Sequence, residues 1–259
     1  MNEPATDDVV ITHDDGITEV RFNRPEKKNA LTRAMYGAVV DAFQAADSNP
    51  EVRVIILTGT GDSFTSGNDI KDFQQRVASN ATSAASPFLD ALSTLKTPLI
   101  GAVNGQAIGV GTTMLAHCDL IVAARSARFV MPFTSLGLVP EAGSSLLFPQ
   151  ILGHQRANAM LLLGQPIDAE TGLHWGFVNQ VVDDAELMTA VHALARRLAA
   201  LPPGAVRKTK ALIKHGAPDI AGRIAEELVH FRDQLKSPEA AEAFQAFVEK
   251  RKPDFSRFS

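Results

Sequence analysis

The sequence contains very little cysteine, few clustered basic residues and no paired histidines. One cysteine, Cys118, is present among 259 residues, so an internal disulfide framework is excluded. The seven histidines are scattered, without the spacing that a zinc site requires. The formal net charge of -4 and a pI near 6.0 disfavour a nucleic-acid partner, because phosphate binding requires clustered Lys and Arg.

Long apolar segments are missing as well. No uninterrupted apolar run reaches the length of a membrane span. The first residues, MNEPATDDVV, are acidic and have no apolar region of the kind found in a secretory signal. The last residues, SRFS, do not form a peroxisomal address of the SKL type. We therefore expect a cytoplasmic protein that has no membrane partner.

Two common catalytic motifs are absent. No G-x-S-x-G elbow is present, so a serine triad has no support. The segment GVGTTM, residues 109–114, lacks the third glycine of a dinucleotide-binding fingerprint, and no ribose-binding acid follows it. The sequence therefore predicts neither a resident metal nor a nucleotide cofactor.

The first two thirds of the chain alternate β-rich runs with helical patterns, which is typical of an α/β layered core. The predicted strands are residues 9–11, 17–23, 52–59, 99–105, 118–124 and 177–182, the first two forming a hairpin that turns at residues 14–16. Thr32 is placed to N-cap a helix over residues 33–47. From about Asp184 the pattern is entirely helical, with apolar stripes through residues 187–201 and 220–235 and a last helix after Ser237.

Two glycine-containing turns follow predicted buried strands. One is FTSGNDIKDF, residues 64–73, in which Asp69 is placed to N-cap a helix. The other lies in NGQAIGVG, residues 104–111, which opens a helix near Thr112. Such turns leave backbone N–H groups outside regular structure. Together the two turns could supply two N–H donors to one oxyanion.

The segment LGLVPEAGSS, residues 136–145, contains a single carboxylate, Glu141. A proline followed by a glutamate suits the first turn of a helix, and the local sequence favours this interpretation. The alternative is that Glu141 is a catalytic base. Apolar neighbours such as Leu138 and Val139 would raise the pKa of Glu141, whereas a helix N-terminus would lower it. The sequence leaves the balance open.

Five segments together resemble the crotonase (enoyl-CoA hydratase/isomerase) superfamily. They are NRPEKKNAL (23–31), FTSGNDIKDF (64–73), AVNGQAIGVGTTMLAHCDLIVA (102–123), FVMPFTSLGLVPEAGSS (129–145) and FVEKRKPDF (247–255). The resemblance covers nearly the whole chain and implies an α/β fold. It implies a spiral of ββα units over residues 1–199 and a helical trimerisation region over residues 200–259. Homotrimers, or hexamers made of two trimers, are expected.

The resemblance also implies that the substrate is an acyl-CoA thioester, with no separate cofactor and no metal. The backbone N–H groups of Asn68 and Val110 would hold the thioester oxygen, with the CoA arm near residues 28–30 and 68–71. The substrate-binding positions that it implies are Lys28, Ala30, Ser66, Asn68, Asp69, Ile70, Lys71, Gly109 and Phe133.

Hydratases of this family have two catalytic glutamates, and the matching positions here are Thr113 and Phe133. Neither side chain exchanges a proton at neutral pH. LVPEAGSS instead resembles the segment with the single catalytic glutamate of 3-enoyl to 2-enoyl CoA isomerases, so isomerisation through Glu141 is the predicted activity. Hydration of enoyl-CoA, thioester hydrolysis or another crotonase reaction is the alternative within the superfamily. A catalytically silent acyl-CoA-binding or scaffold protein is the alternative of another class.

Overall fold

The computed structural model describes residues 7–69, 85–214, 219–256 and 258. The strands in these ranges are β1 (Val9–Asp14), β2 (Ile17–Phe22), β3 (Val54–Gly59), β4 (Ser63–Thr65), β5 (Leu99–Val103), β6 (Gln106–Ile108), β7 (Leu120–Ala124), β8 (Arg128–Val130), β9 (Ile167–Asp168) and β10 (Gln180–Val182). The α-helices are α1 (Arg33–Ser48), α2 (Ala85–Thr94), α3 (Val110–Thr113), α4 (Ser144–Leu152), α5 (His154–Leu163), α6 (Ala169–His174), α7 (Leu187–Ala199), α8 (Pro203–Lys214), α9 (Ile220–Leu235) and α10 (Pro238–Val248).

The larger sheet of the described chain has the strand order β1-β2-β3-β5-β7-β10. β1 and β2 form an antiparallel hairpin, and the other pairs are parallel. The side chains of β3 alternate between two apolar clusters: Ile55 and Leu57 lie in the main core, whereas Val54 and Ile56 pack with α7 on the opposite face. A strand that is buried on both faces requires apolar residues throughout, and VIILTG fits this requirement.

Successive strand pairs build ββα units. β3, β5 and β7 lie in the larger sheet, and the strands that follow them, β4, β6 and β8, lie in a second sheet of order β4-β6-β8-β9. α2 follows β4, and α3 follows β6. Because each unit adds one strand to each sheet beside the previous one, the chain winds as a spiral. The predicted spiral of ββα units is confirmed.

The C-terminal helices pack against the core. α9 contacts α2 and α4, and α10 contacts the 3-10 helix Thr134–Leu136. The packing at Gly137 is so close that an added Cβ would lie 2.6 Å from the Ala240 nitrogen. The helical C-terminal region is therefore present; α7 ends at Ala199, and the division of the chain after this residue stays a prediction. Its role in oligomerisation stays a prediction. No helix in the described ranges has the length and apolar character that crossing a membrane requires.

Several predicted strand boundaries were wrong. The strand predicted over residues 177–182 begins at Gln180, because the N–H groups of Phe177 and Val178 donate to Gly172 at the end of α6. The strand predicted over residues 99–105 ends at Val103, where the chain crosses to the smaller sheet. The segment 104–111 accordingly contains strand β6 as well as a turn.

The helix predicted to begin at Pro140 and Glu141 begins later. α4 starts at Ser144, because Ala142 and Gly143 both have left-handed backbone conformations, with φ of 63° and 69°. A residue in this conformation cannot continue a right-handed helix toward its N-terminus. Glu141 therefore lies in a turn that precedes the helix.

Candidate active site

The two glycine-containing turns lie side by side, because β4 and β6 are parallel neighbours. Thr65 pairs with Ala107 in the register of these strands. Asn68 and Val110 each lie three residues beyond their paired position. Parallel strands end at the same sheet edge, so the structure brings these two predicted oxyanion-hole residues to one edge.

The close approach of the two turns depends on glycine. Gly67 has a φ of +90°, and an added Cβ would lie 2.9 Å from the carbonyl oxygen of Ile108. An added Cβ on Gly111 would lie 2.5 Å from Thr65 Cγ2. Side chains at either position would push the turns apart.

The N–H groups of Asn68 and Val110 have no acceptor among the described residues. The backbone hydrogen bonds between this turn and Leu31 involve the residues on either side of Asn68 and not the Asn68 N–H. Leu31 N donates to Gly67 O, and Asp69 N donates to Leu31 O. Val110 is the first residue of α3, where an N–H has no intrahelical partner. Both donors are therefore available to an anionic oxygen.

Glu141 is joined to the second turn through Thr113. Thr113 lies in α3, three residues after Val110, and its Oγ1 donates to Glu141 Oε1 at 2.5 Å. Glu141 is only 5% exposed. Its other oxygen, Oε2, has no hydrogen-bond partner in the described part of the chain. A buried carboxylate oxygen is thus free to accept a proton, and Thr113 links this carboxylate to the helix that begins at Val110.

The surroundings make Glu141 a stronger base than an ordinary glutamate. Burial raises its pKa from 4.5 to about 7, the hydrogen bond from Thr113 acts in the opposite direction, and the negative charge of Glu227 raises it further. Of the two opposing effects considered from the sequence, burial prevails over the helix N-terminus.

Residues 28–31 run alongside residues 66–69. Ser66 N donates to Lys28 O at 2.9 Å, and Leu31 N donates to Gly67 O at 2.8 Å. The fully buried Asn29 donates from its amide to the carbonyl oxygens of Thr60, just after β3, and Ser63, the first residue of β4, which holds the segment in place. The predicted substrate-binding positions that this pairing brings together are Lys28, Ala30, Ser66, Asn68 and Asp69.

The other predicted substrate-binding residues are placed differently. Gly109 N-caps α3 with a φ of 57°, next to Val110. Phe133 is buried in the core on the loop that leads to Glu141, and its contact with substrate stays a prediction. Ile70 and Lys71 lie outside the described residues.

The sequence analysis missed two residues that support the first turn. Tyr36 on α1 donates from its hydroxyl to Asn68 Oδ1 at 2.9 Å. Arg24 donates to the Ala30 carbonyl at 2.7 Å and to Asp69 Oδ2 at 3.2 Å. Arg24 lies inside the segment NRPEKKNAL, so the motif could have identified it, whereas nothing near Tyr36 indicates its role.

The ββα spiral, the paired N–H donors and the buried carboxylate define an acyl-CoA enzyme of the crotonase fold. The chain belongs to the enoyl-CoA hydratase/isomerase family, whose model matches residues 12–257.

Relatives in this family differ in the reaction that their names give. The chain is 34% identical to peroxisomal enoyl-CoA delta isomerase 3 of Mus musculus over 93% of the chain and 78% of that protein. It is 35% identical to carnitinyl-CoA dehydratase of Salmonella enteritidis over 94% of the chain and 96% of that protein. A crystal structure of an enoyl-CoA hydratase/isomerase from Pseudoalteromonas atlantica matches with a TM-score of 0.91 and 40% identity, over 96% of this chain and 99% of the other. The family is therefore shown, whereas the reaction has to be argued from the site.

Proposed function

We propose that the protein isomerises 3-enoyl-CoA to 2-trans-enoyl-CoA, with Glu141 as its sole acid and base. The observation that supports this proposal is the buried carboxylate of Glu141, which has one free oxygen and is linked through Thr113 to the helix that presents one of the two unpaired backbone N–H groups. A reaction that removes a proton and returns it to the same molecule needs only one such carboxylate.

The reaction begins with proton transfer from carbon 2 of the substrate. Glu141 Oε2 takes the proton, and the electrons of the C–H bond move toward the thioester, whose oxygen becomes negatively charged. The Asn68 and Val110 N–H groups stabilise this dienolate, and each such donor contributes about 3 kcal/mol in a site that excludes water. Glu141 then returns the proton to carbon 4, and the double bond forms between carbons 2 and 3. The enzyme ends in its starting protonation state.

The basicity of Glu141 suits both halves of this cycle. A pKa of about 7 lets the carboxylate accept a proton near neutral pH and still release it to carbon 4. The donor on Thr113 occupies Oε1, which leaves Oε2 for the migrating proton.

Hydration of 2-enoyl-CoA is the alternative activity. In this mechanism two carboxylates act on water, and the positions that the family resemblance assigns to them are occupied here by Thr113 and Phe133. Thr113 is already engaged with Glu141. The second buried carboxylate near Glu141, that of Glu227, accepts hydrogen bonds from Gly143 and Ser145. These contacts favour isomerisation over hydration.

The proposed activity is tested by giving the purified protein 3-enoyl-CoA and 2-enoyl-CoA of several chain lengths. We expect turnover of the first and little hydration of the second. Glu141→Gln should lower kcat by a factor of about 100 to 10,000, because it removes the base. Glu226→Gln is the matched control, since it makes the same change at an exposed glutamate. Prompt hydration without isomerisation would contradict the proposal, and acyl-CoA binding without any turnover would support a silent binding protein.

We also propose that the protein assembles as a homotrimer or as a hexamer of two trimers. Four apolar side chains on α8 and at the end of α10 are between 59% and 76% exposed in the single chain. They are Leu212, Ile213, Phe247 and Val248. Exposed apolar side chains of this kind are typical of subunit interfaces. Light scattering of the purified protein gives the mass directly, and a monomer would contradict the proposal.

A further inference from the structure

Glu227 is a buried glutamate on α9 that reaches the turn containing Glu141. It is 5% exposed. One carboxylate oxygen accepts from Gly143 N at 2.6 Å, and the other accepts from Ser145 N at 2.9 Å and from the Ser145 hydroxyl at 2.5 Å. Burial raises the pKa of Glu227, and the three donors that converge on its carboxylate act in the opposite direction and favour the ionised form. A carboxylate more than 80 residues away in the chain therefore holds the segment that follows the base.

These bonds occupy the N-terminus of α4. Gly143 is the N-cap of this helix and has no side chain to accept from the first N–H groups. Glu227 supplies the missing acceptor. The positive end of the helix dipole is thus satisfied by Glu227 and not by Glu141, which lies just before the helix.

Among the charged and titratable groups around this turn, Glu227 is the one whose charge raises the pKa of Glu141. On α9, Arg223 partly offsets the charge of Glu227 and also lies 3.5 Å from Glu226. On the other side, His117 Nε2 donates to the Ala142 carbonyl at 2.7 Å, and burial lowers the pKa of His117 to about 4, so it is neutral at pH 7. Lys210 and Lys214 lie behind His117 and act on it.

We propose that Glu227 is a positioning residue, which holds the Glu141 turn and prevents the N-terminus of α4 from stabilising the Glu141 carboxylate. This inference rests on the proposed role of Glu141 as base. Through Glu227 the C-terminal helical region acts on proton transfer by positioning Glu141.

The sequence contained one indication of this role. Glu227 lies three residues after Ile224, so helical spacing places it beside the buried stripe of α9 and not on the solvent face. A charged residue at such a position requires a buried partner. Which partner it finds depends on the packing of α9 against α4.

The test is the pH dependence of kcat/KM in Glu227→Gln. Activity rises with pH as Glu141 loses its proton. The acid limb is the part of the pH profile over which kcat/KM rises as Glu141 ionises. Removing the neighbouring negative charge should therefore move this limb to lower pH by about one unit. Ser145→Ala removes one donor but keeps the charge, and Glu226→Gln removes an exposed charge from the same helix. Both controls should leave the limb unmoved. A purely structural role would lower activity equally at all pH values, and an unmoved limb in folded Glu227→Gln would overturn the proposal.

A second measurement applies even if Glu227→Gln does not fold or if the enzyme does not isomerise enoyl-CoA. The glutamate carboxyl carbons are labelled with carbon-13 and titrated by NMR, and the Glu227 signal is identified by its loss in Glu227→Asp. The Glu141 signal is identified in the same way by its loss in Glu141→Gln, and in the wild type Glu227 should already be ionised at the pH at which Glu141 loses its proton. A Glu227 midpoint above the Glu141 midpoint would overturn the proposal, because Glu227 would then have no negative charge to act on Glu141 while Glu141 ionises. Absence of isomerase turnover would refute the proposed function and leave this titration as the separate test of Glu227.

Discussion

Thr113 Oγ1 donates to Glu141 Oε1 across 2.5 Å, which joins the helix after the second glycine turn to the loop that contains Glu141. The hydroxyl stabilises the ionised carboxylate, and so it partly offsets the effect of burial on the pKa of Glu141. The family resemblance assigns a hydratase glutamate to this position. Here a neutral side chain at the same position orients Glu141, the proposed base.

Thr113→Val should make Glu141 harder to ionise. Loss of a hydrogen bond to the carboxylate raises its pKa further, and we expect the acid limb of kcat/KM to move up by about one pH unit. Activity at pH 6 should fall more than activity at pH 9. Thr113→Ser keeps the hydroxyl and serves as the control. A limb that moved down, or that moved equally in both variants, would contradict this role of the hydroxyl.

Glu141→Gln should stabilise the folded protein at alkaline pH. The folded-state pKa of about 7 lies above the ordinary 4.5, so folding is penalised once the carboxylate must ionise inside the protein. This penalty is absent well below pH 4.5 and grows until pH exceeds about 7. We expect the gain in unfolding free energy to be about 2 to 3 kcal/mol larger at pH 8 than at pH 5. Urea unfolding at both pH values measures it, and an equal gain at both would show that ionisation is not the cause.

Gly67→Ala should separate the two turns that present the N–H donors. The new Cβ would lie 2.9 Å from the Ile108 carbonyl oxygen, at a φ of +90° that alanine rarely adopts. Loss of one donor typically lowers kcat by a factor of about 100 to 1,000. Gly37→Ala is the control, because Gly37 lies in α1 with open space around it. Steady-state kinetics with 3-enoyl-CoA compares the two, and a normal kcat in Gly67→Ala would argue against the oxyanion hole.

Lys210→Met should affect stability and leave catalysis intact. Lys210 is buried, and its Nζ donates to Asp119 Oδ2 at 2.6 Å and to the Thr97 carbonyl at 2.8 Å, neither of which belongs to the candidate site. Breaking one side of this pair should cost about 3 kcal/mol, because Asp119 loses its cation. Lys208→Met changes an exposed lysine on the same helix and should cost little. Chemical unfolding gives both values, and equal costs would show that the buried pair contributes nothing.

The sequence by itself determined the features that depend on neighbouring residues. The Thr32 side chain N-caps α1 by accepting from Met35 N, as predicted, because N-capping involves only the next three residues. The apolar run at Val54–Gly59 forms a strand buried on both faces, as its composition indicated. The motif segments also identified the family, because their order along the chain can be read without coordinates.

Only the tertiary structure decided the backbone position and the pKa of Glu141. Pro140 and Glu141 have the local pattern of a helix start, yet two left-handed residues delay α4 to Ser144. The pKa of Glu141 follows from its burial, from the Thr113 hydroxyl and from the charge of Glu227. These groups are 28 or more residues from Glu141 in the chain. Hydrogen bonding within a turn depends on adjacent residues, whereas desolvation and charge coupling depend on which distant segments pack together, and only the folded chain establishes that.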